Sequence, residues 1–225
     1  MSQSLLAREW RRVWPWALAV VPVSVAGHFL PGQLDPSDDA GSWLVHLLQL
    51  PLSLLLLCLG VRQVHGEKSG AVPASSHPEL AMAKFLMGVA CALLAPLVPV
   101  GVLVFRALRA ADATELSLAP LFVLPAMSLV LMVPIAQVAA TYLRSSVLAI
   151  LLAYFVELSV GQLFLPLGAL IATGALSMLG AGQEALTWGA LGITLVPWLG
   201  LLALLRWALA RRLAVLLAEQ AETAA

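Results

Sequence analysis

Charge is scarce in this sequence. Only 11% of the 225 residues are Asp, Glu, Lys or Arg, whereas 61% are hydrophobic. A soluble domain is typically about 25% charged and about 45–50% apolar. The charges also fall in short stretches, and the apolar runs between them have about the 18–25 residues that cross a bilayer core of about 30 Å. We therefore exclude an ordinary soluble domain and expect an integral membrane protein in a lipid bilayer.

Catalytic and metal-binding motifs are also missing. There is no Gly-x-x-x-x-Gly-Lys-Ser/Thr loop, which excludes ATP hydrolysis by the usual route within this chain. The sequence contains no Gly-x-Ser-x-Gly, no His-Glu-x-x-His and no paired carboxylates within an apolar run, so we do not expect an enzyme. Two cysteines in apolar runs and four scattered histidines lack metal-ligand spacing, so we expect no metal. A formal net charge of zero gives no reason to expect nucleic acid.

What the sequence does contain is a series of six long apolar runs. They lie at about 13–30, 43–61, 84–105, 119–142, 147–164 and 187–207. We predict an all-α membrane protein with six transmembrane helices. A seventh apolar stretch, 166–179, is too short to cross at 1.5 Å per residue, and we expect a short re-entrant or outer hairpin between helices 5 and 6. This divides the chain into a cytoplasmic interfacial segment (1–12), a transmembrane domain (13–207) and a cytoplasmic tail (208–225).

The basic residues predict the orientation, because Lys and Arg favour the cytoplasmic side of short loops. With six spans and the N-terminus inside, the outer loops hold only Arg106 and Arg109 of the 12 basic residues. The remaining ten lie in inner segments: Arg8, Arg11, Arg12, Arg62, Lys68, Lys84, Arg144, Arg206, Arg211 and Arg212. We therefore expect a multi-pass protein of the cytoplasmic (inner) membrane with both termini in the cytoplasm.

The longest inner loop, 62–83, joins the second and third runs. Ser76 followed by Glu79 is a capping-box pattern ahead of an apolar run, which predicts that the third helix begins near Ser76. In the same loop, Glu67 and Gly70 form a Glu-x-x-Gly pair, Pro73 and Pro78 follow, and Lys84 opens the third run. This arrangement resembles the loop between the second and third helices of ABC-2-type exporter permeases.

The likeness to that family covers most of the chain, because it includes the basic, tryptophan-bearing segment 4–14, the six spans and the apolar stretch before the last span. It implies a permease subunit of an ABC transporter that works with a second permease copy or paralogue. It also implies that the inner loop docks on a separate ATP-binding cassette subunit, which would bind ATP and Mg, leaving no cofactor in this chain. The coupling residues implied are His65, Glu67, Lys68, Gly70, His77 and Glu79.

Glu157 is the clearest charge inside an apolar run. An acid at a helix centre costs roughly 2.5–3.5 kcal/mol on insertion scales, so it should face the bundle interior or a wet cavity. Tyr154 lies three residues earlier on the same helical face. Two interpretations stay open: a polar group on the transport path or dimer seam, or a hydrogen bond between helices. For Gln137 and Trp198 we expect contacts between helices.

Three other functions remain as alternatives. A narrower one is a haem-exporter-like B subunit of cytochrome c maturation, which suits the short chain. The other two belong to different classes. One is a membrane-embedded enzyme, for which no catalytic constellation is found, and the other is a non-transporting membrane immunity or structural protein. Co-purification with an ATP-binding protein would favour the exporter, and nucleotide-independent activity of a monomer would count against it.

Overall fold

Apolar segments of the chain form the helices of a bundle. A computed structural model describes residues 3–29, 39–66, 77–110, 119–160, 165–180 and 182–224, and this part of the chain contains seven helices and no strand. The helices are α1 (Gln3–Phe29), α2 (Asp39–His65), α3 (His77–Ala110), α4 (Ala119–Tyr142), α5 (Ser146–Ser159), α6 (Leu165–Met178) and α7 (Gln183–Ala224). The predicted all-α class is confirmed over these ranges.

Helix boundaries extend beyond the apolar runs. The third helix begins at His77, one residue after Ser76, as the capping-box pattern predicts. The first helix starts at Gln3, within the segment predicted to be interfacial, and the last continues to Ala224, through most of the predicted tail. Apolar runs mark only the stretches suited to lipid, whereas Ala, Leu, Glu and Arg continue a helix into polar surroundings.

The fifth and sixth helices are short. Each has 14 residues and is about 21 Å long at 1.5 Å per residue, less than the bilayer core. The stretch expected to form a hairpin is a single helix, α6, which packs along α7. Its predicted re-entrant position in a membrane stays a prediction.

The fourth helix lies at the centre of the bundle. Its sequence carries no charged residue and is apolar on all sides, which is typical of a helix that is buried all round. It packs against α2, α3, α5 and α7, and residues 130–137 are buried without interruption. The indole Nε1 of Trp198 on α7 donates to the carbonyl oxygen of Met127 at 2.9 Å. This confirms the expected packing of Trp198 between helices.

Helices α1, α3 and α5 begin at the end of the bundle where α2 ends. Glu9 near the start of α1 contacts Lys84 near the start of α3, and Lys84 also contacts Gln63 near the end of α2. His65, the last residue of α2, contacts Ser146, the first residue of α5. We call this end of the bundle the basal end. It therefore brings together the starts of α1, α3 and α5 with the end of α2.

The fourth and seventh helices fit the same alternation. The guanidinium of Arg212 in the last third of α7 lies 4.2 Å from the ring centre of Tyr142, the last residue of α4. Away from the basal end, the hydroxyl of Ser24 on α1 donates to the carbonyl oxygen of Ala95 on α3. Neighbouring helices thus run antiparallel along the chain from α1 to α5, and α7 returns to the basal end.

Two helical segments are long and apolar enough to cross a membrane, among the residues that the structure describes. They are His77–Leu97 and Gly192–Glu219. In the first, 56% of the apolar window is buried inside the bundle, whereas in the second only 11% is buried. The second is therefore unlike the core helix of a soluble protein. Large apolar side chains on the neighbouring short helices, such as Phe155 and Leu170, are also exposed, and soluble proteins rarely expose broad apolar surfaces.

Candidate functional site

A buried ion pair lies at the basal end of the bundle. The side chains of Glu9 and Lys84 are fully buried, and the Lys84 Nζ lies 3.2 Å from Glu9 Oε2. Lys84 Nζ also donates to the backbone carbonyl oxygen of Gln63 at 2.6 Å. The pair therefore joins α1 to α3, and the carbonyl contact adds α2. Burying a charge without a partner is costly, and each of these two groups supplies an opposite charge to the other.

Two glutamine amides extend this pair to the central helix. Gln137 Nε2 donates to Gln63 Oε1 at 2.6 Å and to the backbone carbonyl oxygen of Lys84 at 2.9 Å. Gln63 and Gln137 are both buried, and the hydrogen bond between them confirms the expectation of an interhelical contact for Gln137. We call Glu9, Gln63, Lys84 and Gln137 the basal polar cluster. It takes one residue from each of the first four helices.

Two arginines border this cluster from the solvent side. Arg8 Nη2 and Arg12 Nη1 lie 3.3 Å and 3.4 Å from Glu9 Oε1, with their side chains 30% and 40% exposed. Glu9 is thus the one carboxylate of the cluster and faces three cations, counting Lys84. The formal charge of these four side chains together is therefore positive.

Two glycines let the helices approach closely around the cluster. A Cβ added to Gly60 on α2 would lie 2.6 Å from the carbonyl oxygen of Val133 and 2.7 Å from Ala136 Cβ on α4. A Cβ added to Gly88 on α3 would lie 2.8 Å from Gln137 Nε2. These separations are too short for real side chains. The amides of α2 and α4 therefore meet because both glycines lack a Cβ.

The predicted coupling residues fall into two groups. Glu67, Lys68 and Gly70 lie outside the described residues. His77 and Glu79 occupy the first turn of α3, where both are partly buried. His65, on the other side of the loop, ends α2. The structure therefore places the described members at the two helix ends that the loop connects, and their proposed contact with an ATPase stays a prediction.

His65 has an internal role that its sequence position did not predict. Its Nε2 lies 3.0 Å from the carbonyl oxygen of Ala140 and 2.9 Å from that of Leu143, and its Nδ1 lies 2.9 Å from Ser146 Oγ. Since carbonyl oxygens only accept hydrogen bonds, Nε2 carries a proton, and in the neutral ring Nδ1 accepts from the Ser146 hydroxyl. His65 therefore attaches the end of α2 to the turn between α4 and α5.

Glu157 is buried where α5 packs on α4. It is 1% exposed, and the hydroxyl of Ser128 donates to Glu157 Oε1. This is the interhelical hydrogen bond that was one of the two interpretations of this residue. Tyr154 is half-buried and makes an edge contact with the ring of Phe155, with ring centres 6.4 Å apart. The described geometry therefore gives Glu157 a link between two helices.

Sequence reasoning missed most of the basal polar cluster. Lys84 was noticed only as the residue that opens the third run, and Glu9 was not singled out. One signal was available: Glu9 is the only acidic residue before Asp35, and it lies among three arginines. Its partner could not be identified, because Glu9 and Lys84 are 75 positions apart.

The cluster joins helices and contains no nucleophile placed beside a base. No group of three or more His, Cys, Asp or Glu side chains that could hold a metal occurs among the residues with described positions. What the arrangement can do is connect the movement of α1, α2, α3 and α4 at one end of the bundle. No protein-family model, curated protein or solved structure matches this chain.

Proposed function

We propose that this chain is the membrane-spanning permease subunit of an ATP-driven exporter of the ABC-2 type. In this proposal it crosses the inner membrane six times, pairs with a second permease copy or paralogue, and is driven by a separate ATP-binding subunit. Membrane placement is supported by the two apolar helical segments and by the exposed apolar surfaces of α5, α6 and α7. The family assignment is supported by the resemblance in the loop that follows α2.

The proposed orientation follows from the charges at the basal end. Arg8, Arg11, Arg62, Arg144 and Arg212 all lie on helix segments or turns that meet there. Because basic residues favour the cytoplasmic side, we place the basal end in the cytoplasm. The segment 67–76 that connects α2 to α3 would then be available to a cytoplasmic ATPase.

The observation that carries the proposal is the position of the basal polar cluster beside this connection. Gln63 lies two residues before His65, the last residue of α2, and Lys84 lies in the second turn of α3. The two residues share a hydrogen bond, and they also contact Glu9 on α1 and Gln137 on α4. A force applied to the connecting segment would therefore reach four helices. A docking loop needs such a link if it is to move the helices that enclose a transport path.

Energy must come from a partner in this mechanism, because the chain has no phosphate-binding loop. The partner subunit would bind ATP and Mg, and closure of its nucleotide sites would pull on the loop. The basal polar cluster would convert that pull into a tilt of α1 to α4. The buried pair of Glu157 and Ser128 would keep α5 moving with α4.

Orientation can be tested by labelling single cysteines with a membrane-impermeant maleimide. Cys58 and Cys91 are first replaced by alanine. In intact cells, Lys68→Cys and Arg144→Cys should stay unlabelled until the membrane is permeabilised, and Asp112→Cys should be labelled at once. Immediate labelling of Lys68→Cys would contradict a cytoplasmic loop and would remove the basis for ATPase docking.

Coupling can be tested by reconstituting the chain in nanodiscs together with an ATP-binding subunit that co-purifies with it. We expect the double variant Glu67→Ala, Lys68→Ala to lose at least about tenfold in ATPase activity of the complex, as when a central interface contact is removed. Arg144→Ala, a charge removal elsewhere at the basal end, should leave that activity unchanged. A chain that binds no ATP-binding subunit and acts as a nucleotide-independent monomer would refute the proposal and favour the non-transporting alternative.

A further inference from the structure

A basic groove separates α1 from α2 at the basal end. It has a volume of about 360 Å³. Its α1 side includes Arg11, Arg12 and Trp16, and its α2 side includes Arg62 and Gln63. We call this space the α1–α2 groove. It lies directly beside the basal polar cluster, because Gln63 belongs to both.

The groove presents several cations and no acidic lining residue within the described part of the chain. Arg11 and Arg62 are exposed, and the Arg62 guanidinium lies 5.7 Å from the ring centre of Trp16. That ring holds one face of the guanidinium while its N–H groups stay available at the edge. The Arg12 Nη1 lies 3.4 Å from Glu9 Oε1, so Arg12 is already engaged by a carboxylate. Arg11 and Arg62 are therefore the pair best able to bind an anion. Guanidinium groups form strong, often bidentate hydrogen bonds with phosphate oxygens, so this pair favours a phosphate group over a neutral ligand.

An apolar surface continues from the groove away from the basal end. On α1, Pro15, Leu18 and Pro22 are exposed and follow Arg11 at helical spacing, so the four residues share one face. Cations at one end and apolar side chains along the remaining length match an amphiphile with an anionic head. A soluble phosphate compound would use the arginines and leave the apolar surface uncovered.

We propose that the α1–α2 groove binds the phosphate headgroup of an anionic phospholipid, with its acyl chains along the exposed face of α1. Arg11 and Arg62 hold the phosphate, and Trp16 fixes the Arg62 guanidinium. The bound lipid closes the cleft between α1 and α2 beside Gln63 and so restricts the tilt of these helices. This inference rests on the membrane placement proposed above and is independent of the transport activity.

The test measures which lipid stays bound to the purified protein. The chain is reconstituted into nanodiscs of phosphatidylglycerol and phosphatidylethanolamine, extracted in mild detergent, and examined by native mass spectrometry. Wild type should retain phosphatidylglycerol in preference to phosphatidylethanolamine. Each basic residue near an anionic surface accounts for about a fivefold change in binding, so Arg11→Gln with Arg62→Gln should lower retention about 25-fold. Arg144→Gln, an exposed arginine at the same end outside the groove, is the matched control.

The outcomes separate the lipid site from the membrane placement. Equal retention by wild type and the Arg11→Gln, Arg62→Gln variant, with both proteins inserted in the nanodiscs, would overturn the site and leave the membrane placement standing. Failure of wild type to insert would overturn both. Displacement of the bound lipid by millimolar inorganic phosphate would show that soluble phosphate suffices and would overturn the choice of a lipid. Selective loss in the groove variant alone supports the proposal.

Discussion

Removing the carboxylate of Glu9 should destabilise the bundle more than removing the ammonium of Lys84. Glu9→Leu leaves Lys84 fully buried without the carboxylate that lies 3.2 Å from its Nζ. Breaking a buried pair in this way costs about 3–5 kcal/mol. Lys84→Met leaves Glu9 with the guanidinium groups of Arg8 and Arg12 at 3.3 Å and 3.4 Å, so its cost should be about 1–3 kcal/mol.

The double variant Glu9→Leu, Lys84→Met removes both charges and should recover most of the loss. Replacing a whole buried ion pair by apolar side chains is often neutral in stability. Thermal unfolding of the detergent-purified proteins measures these differences, since 1 kcal/mol corresponds to about 2–4 °C for a chain of this size. We expect Glu9→Leu to melt about 10 °C below wild type, on that scale. A Glu9→Leu variant within about 2 °C of wild type, or a double variant as unstable as the two single losses added together, would refute the reasoning.

Three further predictions concern contacts between helices. Gly60→Ala should cost about 1–3 kcal/mol, because its Cβ would overlap the backbone of α4, whereas Gly101→Ala, which has open space, should be neutral or stabilising in the same melting assay. His65→Ala should make the turn between α4 and α5 exchange its amide hydrogens faster, and unchanged exchange there would contradict the three contacts of this ring. Glu157→Gln keeps a hydrogen-bond acceptor for Ser128 and should retain stability and the proposed transport, whereas Glu157→Leu should lower the melting temperature by roughly 2–12 °C. Equal loss of that transport in both variants at wild-type stability would instead favour a role on the transport path.

The sequence predicted the helices because lipid-length apolar runs leave few alternatives. Each of the six runs coincides with a helix over most of its length. The central position of α4 also has a sequence signal. Among the described helices that are long enough to cross a bilayer, only α4 contains no charged residue. Periodicity could not reveal how far helices continue past the apolar runs, because Gln3–Arg12 and Ala208–Ala224 have a composition that also suits surface segments.

The candidate site was less predictable than the fold. Gln63, Lys84 and Gln137 lie near helix ends in the sequence, where polar side chains usually face headgroups or water. Only the antiparallel packing brings them together with Glu9 in the interior. Glu157 was recognised because it interrupts an apolar run, but its partner Ser128 on another helix could not be identified from the sequence. Contacts between residues distant in sequence cannot be deduced from the pattern of one chain.

The length of α7 allows this helix to act as a lever. Its N-terminal half is fixed to α4 where Trp198 donates to the Met127 carbonyl, and Pro197, one residue earlier, interrupts the helical hydrogen bonds at that point. The turn at Leu217 is about 29 Å farther along, at 1.5 Å per residue. Rotation of α7 by about 10° around Trp198 would therefore displace that turn by about 5 Å. A small change in packing beside Met127 would thus become a movement large enough to shift the buried side chains of Leu213 and Leu217 at the basal end.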